Sequence, residues 1–414
     1  MDYFIFRHAI FNGSPKGGIR GFALLLRRLK SLATHKMQKL MKQKKRLVIK
    51  WSLTLCMAWV SWALYAQDNP PKPKMGEPSK LKISGWAQVQ YQSVWQDGKA
   101  VTESFRIRRA RLLADGQLHP MLTYKLQADF GNSPALVDAY LNLRFCDAFA
   151  LQAGQFKYPL SIESNIGPMN LEYIDYGEPI QKLAGYSDIC GVGRQGRDIG
   201  LMAIGRLFAV DGREKPFHLL HYSLGVFNGN GINNTDANLH KDVVGKLDIH
   251  PWLPTLTLSA SFYEGVWKQQ ENRDYKRERS AVGVQYDDKK LVLRGEYLWG
   301  HTGQDLDSVY NLDQPAGGWY ALAGWWFRWK AGQSEQRLFP YLRYDHFQTG
   351  EAAADAQVPH FALEQSDGYS VGVNYYPFPF LQCRLAYTML RSEKGNVPDV
   401  VARHQLWGML SYKF

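Results

Sequence analysis

From residue 81 to the last residue, apolar and polar positions alternate with a period of two. Residues 122–130 show it most clearly. Leu122, Tyr124, Leu126, Ala128 and Phe130 share one parity, and Thr123, Lys125, Gln127 and Asp129 share the other. Residues 137–145 repeat it, with Val137, Ala139, Leu141, Leu143 and Phe145 set against Asp138, Tyr140, Asn142 and Arg144. In 82–94, Ile83, Ala87, Val89 and Tyr91 oppose Ser84, Gln88, Gln90 and Gln92. At the end of the chain, Leu406, Gly408, Leu410, Tyr412 and Phe414 oppose Gln405, Trp407, Met409, Ser411 and Lys413. A period of two puts successive side chains on opposite faces of a strand, whereas a helix repeats every three to four residues. The same reading covers 104–116, 148–157, 197–207, 218–227, 241–250, 255–264, 280–287, 290–299, 319–328, 337–346, 368–376, 380–391 and 403–414. The pattern predicts about sixteen strands and no helix longer than two turns after the N-terminal region.

Short turns separate some of these segments, and longer polar stretches separate others, among them 228–240, 265–279, 300–318 and 347–367. An even number of alternating strands with short turns at one end and long loops at the other is the pattern of a transmembrane β-barrel. A soluble sandwich of this length would show domain breaks and no signal for closure. At sixteen strands the lumen is wide enough to hold water. The expected fold is all-β: a transmembrane barrel of about 16 antiparallel strands, with polar residues facing the lumen and an apolar belt outside. Aromatic residues make up 14% of the chain, as expected for interface girdles. Trp252, Trp319, Trp325, Trp326, Tyr375 and Tyr376 are the candidates. The mean hydropathy of -0.35 excludes a helical membrane protein but not a barrel, in which only every second strand residue meets lipid.

The formal charge of +12 has a local origin. Residues 1–66 hold 13 Lys and Arg and one acidic residue, Asp2, leaving 37 of each sign in 67–414. The basic surplus therefore gives no ground for a nucleic-acid partner. Lys42–Lys50 is basic, Trp51–Leu64 is apolar, and Leu64-Tyr65-Ala66 ends in a small residue. That is the layout of a secretory signal peptide, with cleavage expected after Ala66. Residues 1–36 read as an extension upstream of a second start at Met37 or Met41. Residues 1–66 are thus a leader, 67–80 a Pro- and Lys-rich linker, and 81–414 the barrel. Cys56, Cys146, Cys190 and Cys383 show no metal-ligand spacing and read as free or incidental. No metal or cofactor is expected.

Several stretches resemble the phosphate-selective porin O and P family. Phe105–Leu112, FRIRRARL, is similar to its arginine-rich second strand. Gly154–Pro159 with Glu163, GQFKYPLSIE, is similar to the segment before its constriction loop, and Arg197–Leu201, RDIGL, to the strand after it. Tyr222–Asp242, Arg343-Tyr344-Asp345 and Tyr369–Tyr376 match later strands. The resemblance covers about 81–414. It implies a sixteen-stranded, trimeric outer-membrane porin whose third long loop, here about 159–196, folds into the lumen. It also implies that a C-terminal aromatic, here Phe414, is read by the outer-membrane assembly machinery.

Selectivity in a wide pore is set by the charges at its narrowest point. Arg106, Arg108, Arg109 and Arg111 crowd one short strand, and an Arg facing lipid at the midplane costs roughly 2–4 kcal/mol. Arg109 and Arg111 are therefore expected in the lumen. Phe105 and Ile107 share their parity, so a bulge or strand end is expected at Arg108. Lys125 and Arg144 should face inward, Lys157 should sit at the start of the constriction loop, and Arg194 and Arg197 at its end. Together these form a candidate ladder for inorganic phosphate or other small anions, since guanidinium donors suit phosphate oxygens. In the family an aspartate also lines the constriction, and Asp129 and Asp138, which share the inward parity, are the candidates for it. Pairing of the cations with such carboxylates would instead give an unselective general-diffusion porin. A barrel receptor for a polymer is a third reading. An enzyme is disfavoured because no His or Ser sits in a catalytic motif. Lys268, Arg273, Lys276, Arg277 and Arg279 read as a loop cluster diluted by Glu271, Asp274 and Glu278.

Overall fold

The computed structural model describes residues 81–96, 98–131, 136–188, 194–210, 217–236, 238, 240–268, 274–301, 315–350, 364–394 and 401–414. The leader, the linker, Cys56 and Cys190 lie outside them. Seventeen strand segments follow in chain order: β1 (Lys82–Gln96), β2 (Thr102–His119), β3 (Leu122–Asp129), β4 (Leu136–Cys146), β5 (Phe149–Lys157), β6 (Arg197–Val210), β7 (Phe217–Phe227), β8 (Asp242–Ile249), β9 (Leu256–Lys268), β10 (Asp274–Asp287), β11 (Leu291–His301), β12 (Pro315–Trp325), β13 (Phe327–Ala331), β14 (Ser334–Thr349), β15 (Glu364–Phe378), β16 (Leu381–Lys394) and β17 (Val401–Lys413). Each pairs antiparallel with its chain neighbour, except that β12 and β13 both pair with β14. β17 returns to pair with β1, from Trp86 opposite Lys413 to Gln96 opposite Arg403. Sixteen strands close the ring, and β13 lies outside it beyond the break at Trp326. Closure leaves no unpaired edge, which is what a sheet needs to cross a bilayer.

The alternation sets the two faces. On β11, Val292, Arg294, Glu296 and Leu298 are buried, while Leu293, Tyr297 and Trp299 are exposed. The exposed parity carries Val89, Leu201, Leu258, Val284, Leu342, Val371, Leu385 and Leu410 around the ring, which makes the apolar belt. Trp252, Trp319 and Trp325 lie on the outer face as expected. Trp326 and Tyr376 do not. The strand breaks at Trp326, which turns inward onto Phe339 and Tyr376, with ring centroids 4.7 and 5.4 Å away.

A second correction concerns 265–279. β9 runs to Lys268 and β10 starts at Asp274, so Lys276, Arg277 and Arg279 sit on a strand. Arg277 and Arg279 are buried and paired with Asp242 and Asp188. Lys276 pairs with Glu278 and Glu264. Charge on both parities hid the strand.

Candidate functional site

Between β5 and β6 the chain enters the lumen. It forms α1 (Ile162–Asn165) and α2 (Glu178–Leu183) before a single 3₁₀ turn at Arg194–Gly196. Ser161 caps α1 by accepting from Ser164 N at 3.1 Å. The loop brings its own apolar side chains. Tyr158, Leu160, Leu171, Ile180 and Leu183 pack against Phe156, Phe227, Tyr263, Tyr320 and Phe347 of the wall. Tyr173 and Ile174 pack against Val292, Leu322, Phe339, Tyr341 and Ala386. The principal hydrophobic core of this barrel therefore sits inside it.

Carboxylates pin the loop from several sides. Glu296 accepts from Ser161 Oγ, Ile162 N and Glu163 N at 2.9, 2.6 and 3.1 Å, so it caps the α1 N-terminus from the far wall. Arg343 bridges loop residue Glu163 at 2.5 Å and strand residue Asp345 at 2.7 Å, all three nearly fully buried. Arg294 holds Glu172 through two bonds of 2.9 and 3.0 Å. Lys182 holds Glu364 at 2.9 Å. Burial pushes the Glu163 carboxyl above its ordinary range despite the pull of Arg343. Burial would likewise raise Asp175, but Arg108 and Arg109 outweigh it and hold that carboxyl below its ordinary range.

The arginine-rich strand meets the loop as its parity requires. Gln88 pairs with Arg109 and Val89 with Ile107, so Arg108 is the extra residue of a bulge. The slip keeps Phe105 and Ile107 on the outer face and turns all four arginines inward. Arg106 Nε donates to Gln90 Oε1 at 3.3 Å. Arg108 pairs with Asp175, which lies 3.6 Å from Arg109. Arg109 also donates to Gln88 Oε1 at 3.1 Å. Arg111 pairs with Asp129 at 2.9 Å and donates to Gln195 Oε1 at 3.0 Å. Asp129 also accepts from the amides of Ala110 and Gly131, both at 3.1 Å, and so ties the end of β3 to β2. Arg197 grips Asp138 at 2.6 and 3.3 Å. The Arg194 side chain lies outside the described residues.

The lysines differ. Lys157 Nζ donates to the carbonyls of Ser164 and Ile166 and to Tyr176 Oη, and among the described residues no carboxylate pairs with it. Lys125 forms no ion pair among the described residues. Both border a cavity of about 400 Å³ between the loop and the β1–β6 wall, alongside Arg111, Arg197 and Asp138. Arg144 sits at the turn end, 56% exposed and 3.9 Å from Asp147. It lines an adjoining cavity of about 360 Å³ that shares Lys157 and Asn165 with the first. A third space of about 340 Å³ meets the first at Met169 and Asn170.

A profile of the family described as phosphate-selective porin O and P matches residues 82–204 and 269–414. The chain belongs to that family. It is an outer-membrane porin. Solved structures share the fold at low identity. An anion-selective porin from Comamonas acidovorans is 11% identical at a TM-score of 0.55, covering 81% of this chain and all of that one. The trimer form of OmpT from Vibrio cholerae is 9% identical at 0.55, covering 82% and 100%. Salmonella typhi OmpF is 13% identical at 0.53, covering 81% and 97%. No curated protein matches. The family and the fold are those of channel proteins.

The porin's lumen thus holds two kinds of cation. Arg108, Arg111, Arg197, Arg294 and Arg343 are tied to carboxylates, three of them across to the loop. Lys125 and Lys157 are not. Sequence reasoning missed Arg294, Arg343 and Arg384 as loop anchors. Inward parity on their strands was the available signal. Their partners, carbonyls or carboxylates of an aperiodic loop, gave none. Cys146 and Cys383 are free.

Proposed function

We propose that the porin passes small anions, phosphate and phosphorylated solutes foremost, along the β2–β6 side of its constriction loop. The observation that carries this is the charge around the 400 Å³ cavity: Arg111, Lys125, Lys157 and Arg197 against Asp138 alone. Asp129, which neutralises Arg111 from behind, still leaves cations in excess. Paired arginines keep part of their field, and the lysines supply charge with no carboxylate attached. An anion would lose part of its water, meet no deep site and move on. The arginine pairs favour the general-diffusion reading instead, and the lysines support the anion reading over it. Catalysis and polymer reception have no comparable support.

On this reading Arg108, Arg109, Arg144 and Arg194 shape the approaches, and Asp138 and Asp129 position Arg197 and Arg111. The mature chain starts near Gln67 after cleavage at Ala66. It assembles as a homotrimer in outer-membrane lipid and presents Phe414 to the assembly machinery. The deciding experiment is the reversal potential of the purified mature protein in a planar bilayer under a salt gradient. An anion preference, with phosphate reducing chloride current, is the expected result. A near-zero or cation-preferring potential would leave an unselective porin.

A further inference from the structure

The 340 Å³ space at the turn end of the lumen has no role in the reading above, and its wall carries an electrostatic conflict. Arg328 on β13 lies directly opposite Arg337 on β14. Like charges facing across a strand pair repel. Among the described residues neither forms an ion pair. Arg328 donates to Lys289 O at 2.9 Å. Both guanidinium groups lie against the Trp326 ring, at 5.9 and 5.8 Å from its centroid. Arg337 also lies 4.8 Å from the Tyr376 ring. The platform is fixed. Trp326 N donates to Lys290 O at 2.7 Å, and Gln382 Nε2 donates to Tyr376 Oη at 2.6 Å.

Behind this wall Arg384 is 3% exposed, and among the described residues its Nε and Nη1 have no hydrogen-bond partner. Its Nη2 donates to Pro168 O, Met169 O and Gln382 Oε1. Arg337 and Lys413 border the cavity, with Trp326, Tyr376 and Phe380 as aromatic surface. Two carboxylates also border it. Glu172 is committed to Arg294, and Asp287 accepts from Lys289 N at 2.8 Å. With Glu172 held by Arg294, Arg337 and Lys413 outnumber Asp287 in the lining, and beside a buried Arg384 and exposed aromatic faces they suit an anion that also carries a ring.

We propose that this corner is a second anion subsite, selective for phosphomonoesters bearing a flat ring, with the phosphate on Arg337 and the ring among Trp326, Tyr376 and Phe380. The proposal rests on the anion-channel reading and names a solute class for it. The test uses the purified porin in planar bilayers, with phenyl phosphate or inorganic phosphate added from the turn side. Phenyl phosphate should half-block chloride current at an about fivefold lower concentration, the size expected of one added aromatic contact. Arg337→Gln should abolish that advantage, so that phenyl phosphate and inorganic phosphate half-block the variant at the same concentration. Phe380→Ala, on an exposed turn where folding is not at stake, should reduce the advantage in the same direction. Equal block by the two compounds, or an undiminished advantage in both variants, would overturn the subsite. A cation-preferring reversal potential in the same bilayers would instead overturn the anion-channel reading.

Discussion

Lys157 has all three ammonium donors engaged, by two loop carbonyls and the Tyr176 hydroxyl. It offers a passing anion its field and no contact. Lys125 keeps its donors available on the same cavity. The two should therefore behave differently when neutralised. At about 6 Å through water a unit charge is worth about 0.7 kcal/mol, or about threefold in relative permeability. Lys125→Gln is expected to lower the anion-to-cation permeability ratio about threefold and also to weaken phosphate block. Lys157→Gln should lower the ratio comparably while leaving the block constant nearly unchanged. Reversal potentials and phosphate titrations on the two variants check both halves, and identical behaviour would refute the distinction. Parity made the inward direction of Arg109, Arg111, Lys125 and Asp138 legible in the sequence. So were the strand carboxylates Asp129 and Asp138 as partners for these cations, but the loop partners were not, because Asp175, Gln195 and Glu172 reach the strands from a loop with no periodicity.

The loop fills the lumen, and buried ion pairs hold it to the wall beside its apolar packing. Removing one member of a buried ion pair leaves the other uncompensated, at about 3–5 kcal/mol. Arg343→Met would do this to Glu163 and Asp345 together. The expected outcome is a loop released from β14, seen as a larger and noisier single-channel conductance with the barrel still closed. Gly177 offers an independent route to the same end. A Cβ there would run into the Asp345 carboxylate and the Arg343 guanidinium, so Gly177→Ala should also raise conductance. The clasp of Asp175 on Arg108 and Arg109 predicts a pH dependence. Its folded-state pKa is depressed, so the clasp stabilises fully above the ordinary Asp value of about 3.9 and is lost as pH falls through the lowered one. The part of any conductance rise that belongs to this clasp should therefore come only below about pH 4, and a rise at higher pH belongs to Glu163, whose carboxyl burial raises. Asp175→Asn should show the raised level already at pH 7. The position of this loop was readable from its length between GQFKYP and RDIGL. Its two short helices and its clasps were not, since they exist only against the far wall.

At the scale of the whole barrel, the ring of sixteen was readable because one side chain in two must face lipid, which no other environment demands so regularly. It failed where both parities are charged, at Lys276–Arg279, above the apolar belt. Closure depends on one seam. Gly85 N donates to Phe414 O at 3.1 Å, and Phe414 N donates to Gly85 O at 2.9 Å, so the last residue completes the first strand's ladder. The Phe414 ring lies directly over Gly85, where an added Cβ would collide with it. Overpacking of this kind costs about 1–3 kcal/mol. Gly85→Ala should accordingly lower the temperature at which the folded, faster-migrating band disappears on heated gels. Phe414→Ala should lower it too, through the lost contact. If the two act through this seam, the double variant has no ring left to collide with, and its loss should fall short of the sum of the single losses by at least about 0.5 kcal/mol. Additive losses would mean that the glycine is required by the backbone of β1 alone, and that the terminal ring serves some purpose other than sealing the barrel.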